Sequence, residues 1–166
     1  MKKRWLCIFV ENEIGVLAKI CGLFSAKAYN LDSLTVGVTE DPSVSRMTIS
    51  LTSDDQTFEQ VKKQLNRSIE VIKVLDYTDA STHRKELMFL HVTSCTETER
   101  SELFRIAEIF HASVIDYSRT AVLLQSVQPE CQNSDLIARL EPYYGNRIAI
   151  VRGGTVAVEA LHRAAR

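Results

Sequence analysis

Apolar and polar positions switch between two periods along this chain, and the switches mark its elements. Trp5 to Val10 is a continuous apolar run, the pattern of a central strand. Val16, Leu17, Ile20, Cys21, Leu23 and Phe24 then recur at helical spacing and give one apolar stripe, with the helix ending near Lys27 or Ala28. Leu34, Val36 and Val38 alternate with Thr35, Gly37 and Thr39, which predicts a strand with one buried face. Glu40, Asp41 and Pro42 make a turn. Met47, Ile49 and Leu51 alternate with Thr48, Ser50 and Thr52, giving another half-buried strand. Asp54 or Asp55 caps a helix whose stripe is Phe58, Val61 and Leu65, and Ile69 to Leu75 is a strand. The predicted order is β-α-β-β-α-β.

The same order returns at an offset of roughly 80 residues, a repeat of pattern rather than of identity. Leu87 to Val92 is a strand, and Leu103, Ile106, Ala107 and Phe110 mark a helix capped by Thr96 or Thr98. Ser113 to Tyr117 and Ala121 to Gln125 are strands joined by a turn near Arg119. Leu136, Ile137 and Leu140 mark a shorter helix, and Arg147 to Val151 closes the series. The fold class is therefore α+β: two tandem ferredoxin-like βαββαβ domains with antiparallel sheets. Residues 1–79 form the first domain, the polar stretch 80–85 a linker, and 86–155 the second domain. Residues 156–166 form a basic, Ala-rich tail, either a short helix or a frayed end. Thr48, Ser50 and Thr52 leave one sheet face semi-polar, to stay wet or meet a partner. Exposed edge strands invite pairing between chains, so a homodimer through the N-terminal units is expected.

Composition narrows the classes. The 166 residues are 45% hydrophobic and 25% charged, with net charge −1, the balance of a soluble globular protein. A nucleic-acid partner is not expected without a basic excess. No apolar run is long enough to span a membrane. The run that follows Lys2, Lys3 and Arg4 stops at Glu11, too short for a signal peptide, so the expected location is the cytoplasm. Cys7, Cys21, Cys95 and Cys131 lack metal-ligand spacing, and Cys7 and Cys21 fall within apolar patterns as small core residues. His83, His91, His111 and His162 read as surface or packing residues. No catalytic pairing of Ser, His, Cys or carboxylates stands out.

The candidate chemistry lies between the first strand and helix. Asn12, Glu13, Ile14, Gly15, Val16 and Leu17 open the helix directly after an apolar strand. A glycine there lets backbone amides face outward, and a helix start offers unpaired N–H groups and a positive dipole end. Glu11 and Glu13 disfavour a multiply charged phosphate, so a zwitterion suits the loop better. The alternative is an ordinary helix start with a tight turn, because a lone glycine loop is a weak signal.

Asn12, Glu13, Gly15, Val16 and Leu17, with Gly22, Leu23, Phe24, Tyr29, Asn30 and Leu31, resemble an ACT regulatory domain. Ser33 to Val36, Thr39 to Pro42, and Ser45 to Ile49 are similar to the small regulatory subunit of acetolactate synthase, also called acetohydroxyacid synthase. Gln60, Lys63 to Leu65, Val71 to Val74, Arg84, Glu86 to Met88, and later Ile109, Phe110 and Val114 to Asp116 continue the match. It covers nearly the whole chain and is weaker after about residue 90. The resemblance implies a subunit that binds and activates the catalytic (large) subunit. It also implies feedback inhibition by a branched-chain amino acid, typically valine. Thiamine diphosphate, a divalent metal such as Mg and FAD are implied on the catalytic partner; this chain is expected to hold no cofactor.

The resemblance places the effector on Asn12, Ile14, Gly15, Val16 and Leu17. Amides near Gly15 to Leu17 take its carboxylate, Asn12 its backbone groups, and Asn30 of the partner unit its ammonium. Ile14 and Ala28 depart from the family pattern, where proline or a small residue and glycine are common, and the end from Gly153 departs too. Arg46 is either a contact to the catalytic subunit or a solvated strand-end arginine. Asp41 and Pro42 are read as turn chemistry and Asp116 as structural. An acylphosphatase-like hydrolase would need an arginine in the first loop, which holds Glu11, Asn12 and Glu13 instead. An RNA-binding module of this topology would need aromatic residues on Met47 to Leu51. A stand-alone ACT amino-acid sensor regulating another enzyme remains the alternative.

Overall fold

The computed structural model describes residues 1–26 and 29–161. Two units emerge: Met1–His83 joined by the segment from Val156, and Arg84–Thr155. The expected helix end at Lys27 or Ala28, the Ala28 departure, His162 and the last residues of the tail lie outside the described residues.

The first unit runs β1 (Lys2–Glu11), α1 (Val16–Ser25), β2 (Leu31–Val38), β3 (Val44–Ser53), α2 (Asp55–Leu65) and β4 (Val71–Asp76). Its antiparallel sheet has the order β2-β3-β1-β4. The register sets Leu6 against Ile49 and Ile8 against Met47, so alternate residues of both strands share the helix side. There they meet Val16, Ile20 and Phe24 of α1 and Phe58, Val61 and Leu65 of α2 in one buried core. Each such side chain contributes about 1.5–3 kcal/mol by leaving water. Asp54 caps α2, its carboxylate accepting from the Thr57 amide at 2.8 Å. On β2 the expected buried face is only half formed. Leu34 packs on the core, while Val36 and Val38, on an edge strand, are 44% and 62% exposed.

The opposite sheet face differs from expectation. Thr48 and Ser50 are buried; Thr52 alone of the three is exposed. Trp5, Cys7 and Tyr77 form a second cluster there with Ala157, flanked by Phe9 and Leu75. The covering residue comes from the far end of the sequence, so no local pattern could announce it.

The second unit holds β5 (Thr82–Val92), α3 (Glu97–Ile109), β6 (Ser113–Tyr117), β7 (Val122–Gln128), α4 (Glu130–Tyr144) and β8 (Ile148–Glu159). Its sheet order, β6-β7-β5-β8, repeats that of the first unit. Three expectations are corrected here. The helix around Leu136 is long, 15 residues, rather than short. Its polar residues hid it: Asn133 is fully buried, accepting from the Ser126 hydroxyl at 2.7 Å and donating to Glu86 at 3.1 Å. The linker over 80–85 gives way to β5, which already begins at Thr82. The tail from Val156 is the end of β8, which runs past Gly153 and Gly154; Gly154 absorbs a local irregularity with φ 80°. The chain thus leaves the first unit within β5 and re-enters it within β8. Among the described residues no helix is long and apolar enough to cross a membrane.

Candidate functional site

The loop between β1 and α1 is shaped by one backbone conformation. Gly15 is the N-cap of α1 at φ 91°, a left-handed value that costs an ordinary L-residue roughly 1–2 kcal/mol. It brings no side chain, and no side-chain cap closes this helix start among the described residues. The Val16 amide turns back to the Glu13 carbonyl at 3.3 Å. The Leu17 and Ala18 amides, early in the helix, have no acceptor within it and point along the positive end of its dipole. A β-carbon on Gly15 would meet nothing within 4 Å, so no neighbouring group crowds the cap itself.

The sequence-predicted residues divide by role. Ile14 is fully exposed and Leu17 is 45% exposed, so the loop presents apolar side chains outward. Val16 points the other way, into the core, and can offer only its backbone. Asn12 is already engaged: its amide donates to the Pro42 carbonyl at 2.9 Å and its oxygen accepts from Ser45 at 2.9 Å. It pins the loop to the β2–β3 turn and keeps one N–H and one lone pair uncommitted. Asn30 sits beyond the other end of α1, lining a shallow pocket with Phe24 and Tyr29. A ten-residue helix is about 15 Å long, so one chain does not bring Asn30 to Gly15.

The electrostatics near the loop rest on a clamp that the sequence reading missed. Lys19 on α1 pairs with Glu70, which also accepts from the Ser68 hydroxyl at 3.0 Å. The Lys19 hydrogen bond, with help from backbone and Ser68 donors, holds Glu70 down to about 2, and Lys19 is raised in turn. The Glu11 amide donates to the Glu70 carbonyl at 2.9 Å, so one residue ties β1, α1 and the start of β4 together. Neither partner lies near the other in sequence, and nothing in the periodicity pairs them.

The other singled-out residues carry no chemistry of this kind. Among the described residues, no group of three or more His, Cys, Asp or Glu side chains could hold a metal ion. All four cysteines are unpaired thiols. Asp41 is turn chemistry, accepting from the Ser43 amide at 2.9 Å and the Ser43 hydroxyl at 2.7 Å, which lowers its pKa. Arg46 is not a solvated strand-end arginine. It is partly buried, donates through Nε to the Cys7 thiol at 3.0 Å and through Nη2 to the Ala157 carbonyl, and lies 5.5 Å from the centre of the Phe9 ring.

Comparisons with known proteins agree over both halves of the chain. Residues 6–73 match the AHAS small subunit-like ACT domain, and residues 85–161 match the family described as the small subunit of acetolactate synthase. A probable acetolactate synthase small subunit of Archaeoglobus fulgidus is 39% identical over 157 residues, covering 91% of this chain and 98% of its own. The acetolactate synthase small subunit of Bacillus subtilis is 41% identical over 156 residues, covering 93% and 89%. The crystal structure of the acetolactate synthase small subunit from Thermotoga maritima superposes with a TM-score of 0.86 at 28% identity, covering 98% of this chain and all of its own. With two such units and an uncapped first helix in place, the chain belongs to the acetolactate synthase small subunit family.

Proposed function

We propose that this chain is the regulatory subunit of acetolactate synthase, binding and activating the catalytic subunit and conferring feedback inhibition by a branched-chain amino acid, valine first. The observation that carries this reading is the left-handed Gly15 cap, which leaves the first amides of α1 open in a chain whose relatives are named small subunits. The effector carboxylate docks on the amides after Gly15, each charge-assisted hydrogen bond being worth about 1.5–3 kcal/mol. Ile14 and Leu17 supply apolar wall for a valine-sized side chain. A second copy supplies Asn30 for the ammonium, because the same chain's Asn30 lies a helix length away; the working unit is a homodimer through the first units. Chemistry belongs to the cytoplasmic catalytic partner with its thiamine diphosphate, Mg and FAD.

Reconstitution tests the reading. Mixing the chain with its organism's catalytic subunit should raise acetolactate production, and valine should lower it again. No complex and no activation would leave a stand-alone amino-acid sensor in its place. Gly15→Asp should abolish valine sensitivity while sparing activation, since it sets a carboxylate in the anion cradle; unchanged inhibition in that variant would sink the site.

A further inference from the structure

A second pocket lies in the first unit, on the sheet face away from the helices, and shares no residue with the effector loop. It encloses about 500 Å³ and is lined by Phe9, Gly37, Val38, Arg46, Thr48 and Val156, with Glu40 also on its lining. Three features make it a built site rather than a surface dent. Arg46 spends Nε on the Cys7 thiol and Nη2 on a carbonyl, and is in no ion pair, so its remaining Nη1 has no partner among the described residues. Thr48 is only 4% exposed and lines the pocket beside Arg46. Gly37 stands directly across from Arg46 on β2, and a β-carbon there would meet nothing within 4 Å, so the glycine keeps the floor open beside the guanidinium.

We propose that this pocket binds a small organic monocarboxylate with a short apolar chain. The Arg46 Nη1 and the Thr48 hydroxyl donate to the carboxylate, and charge assistance makes the first of these the stronger contact. Phe9 and Val156 flank the chain. One guanidinium, with the exposed Glu40 carboxylate nearby, matches a single negative charge and opposes a phosphate. The cation–π contact with Phe9 fixes the guanidinium before the ligand arrives, which lowers the ordering cost of binding.

The test uses the full chain and isovalerate, titrated to roughly 10 mM with binding followed by amide chemical shifts and calorimetry. Saturable binding is expected, with the largest shifts on Gly37, Arg46 and Thr48. Arg46→Gln should weaken it about tenfold or more. Gly37→Val should abolish it by filling the floor, with thermal unfolding unchanged, because the added side chain meets only open space and strands favour valine. Absence of saturable binding, or binding unchanged in both variants, overturns the proposal. Inorganic phosphate competing as well as isovalerate overturns the monocarboxylate assignment. If Gly37→Val instead dissociates a dimer, a second copy occupies the groove and the proposal also fails. Valine inhibition of the reconstituted enzyme is read in parallel, and its loss in Gly15→Asp alone keeps this pocket distinct from the effector site.

Discussion

The two units share an element order and a sheet order, yet they start their first helices in opposite ways. In the first unit, α1 begins on a left-handed glycine with no side-chain cap. In the second, α3 begins with a closed capping box: the Thr96 hydroxyl accepts from the Glu99 amide at 3.2 Å, and the Glu99 carboxylate accepts from the Thr96 amide at 2.8 Å. Arg147 then covers that carboxylate at 2.8 Å. The same fold therefore yields one helix start without a side-chain cap and one closed by its own side chains. The repeated fold does not repeat the helix start, and the difference lies in Gly15 against Thr96 and Glu99.

A second contrast lies at the first inward position of each central strand. Arg4 in β1 and Glu86 in β5 are both buried charges. Arg4 pairs with Asp55, whose side chain is 92% exposed. Glu86 takes Arg152 in bidentate fashion, at 2.9 and 2.6 Å, and Arg152 is only 32% exposed. Removing one partner of a buried pair leaves the other uncompensated, whereas an exposed partner returns to water.

The largest expected effect tests that asymmetry. Glu86→Leu should lose about 3 kcal/mol or more in urea unfolding, and Arg4→Met less than about 1 kcal/mol. Equal losses would erase the distinction between the two charges. Next, Gly15→Ala should cost about 1–2 kcal/mol, because alanine resists the left-handed conformation. Thr96→Ala should cost about 1 kcal/mol by opening the capping box, with valine inhibition of the reconstituted enzyme unchanged. Altered inhibition in Thr96→Ala would mean that the second unit contributes to effector binding after all.

The smallest effect concerns acid. Glu70 in the first unit and Glu99 in the second are both held down to about 2, the one chiefly by hydrogen bonding to Lys19 and the other by hydrogen bonding to Arg147. A carboxylate lowered in the folded state contributes stability that is present above its unfolded value of about 4.3 and lost as the pH falls toward the folded one. Thermal unfolding between roughly pH 4.5 and 2 should therefore fall less steeply in Glu70→Gln and in Glu99→Gln than in the parent chain. An unchanged slope in either variant would release that glutamate from the comparison.

Much of the fold was legible because strands with one buried face alternate and helices do not. Ile49 and Met47 announced β3, and Phe58, Val61 and Leu65 announced α2. Caps were legible where side chains make them, at Asp54 and Thr96. What escaped notice depends on partners distant in sequence. Asn133 belongs to no apolar stripe, and only Ser126 and Glu86, brought together by the fold, satisfy it inside α4. Thr48 and Ser50 read as a face to stay wet or meet a partner, until Ala157 of the same chain is found packed in the cluster beside them. Gly153 and Gly154 read as the end of a domain, whereas they lie inside a strand. At the candidate site, the glycine at the helix start was legible, and Asn30 lies beyond the other end of α1. The Lys19–Glu70 clamp and the prior commitment of Asn12 were not, because both are tertiary.

The return of β8 to the first unit has a consequence for biosynthesis. A nascent chain can form most of the first core once α2 and β4 have left the ribosome, but its second cluster must wait for Ala157. Until then Trp5, Cys7 and Tyr77 lack that cover, through the whole time the second unit takes to emerge. Ribosome-stalled chains ending before Val156 should thus show a more solvent-quenched Trp5, the sole tryptophan, than chains released at full length. A segment translated after the whole of Arg84–Thr155 finishes the unit that began before it.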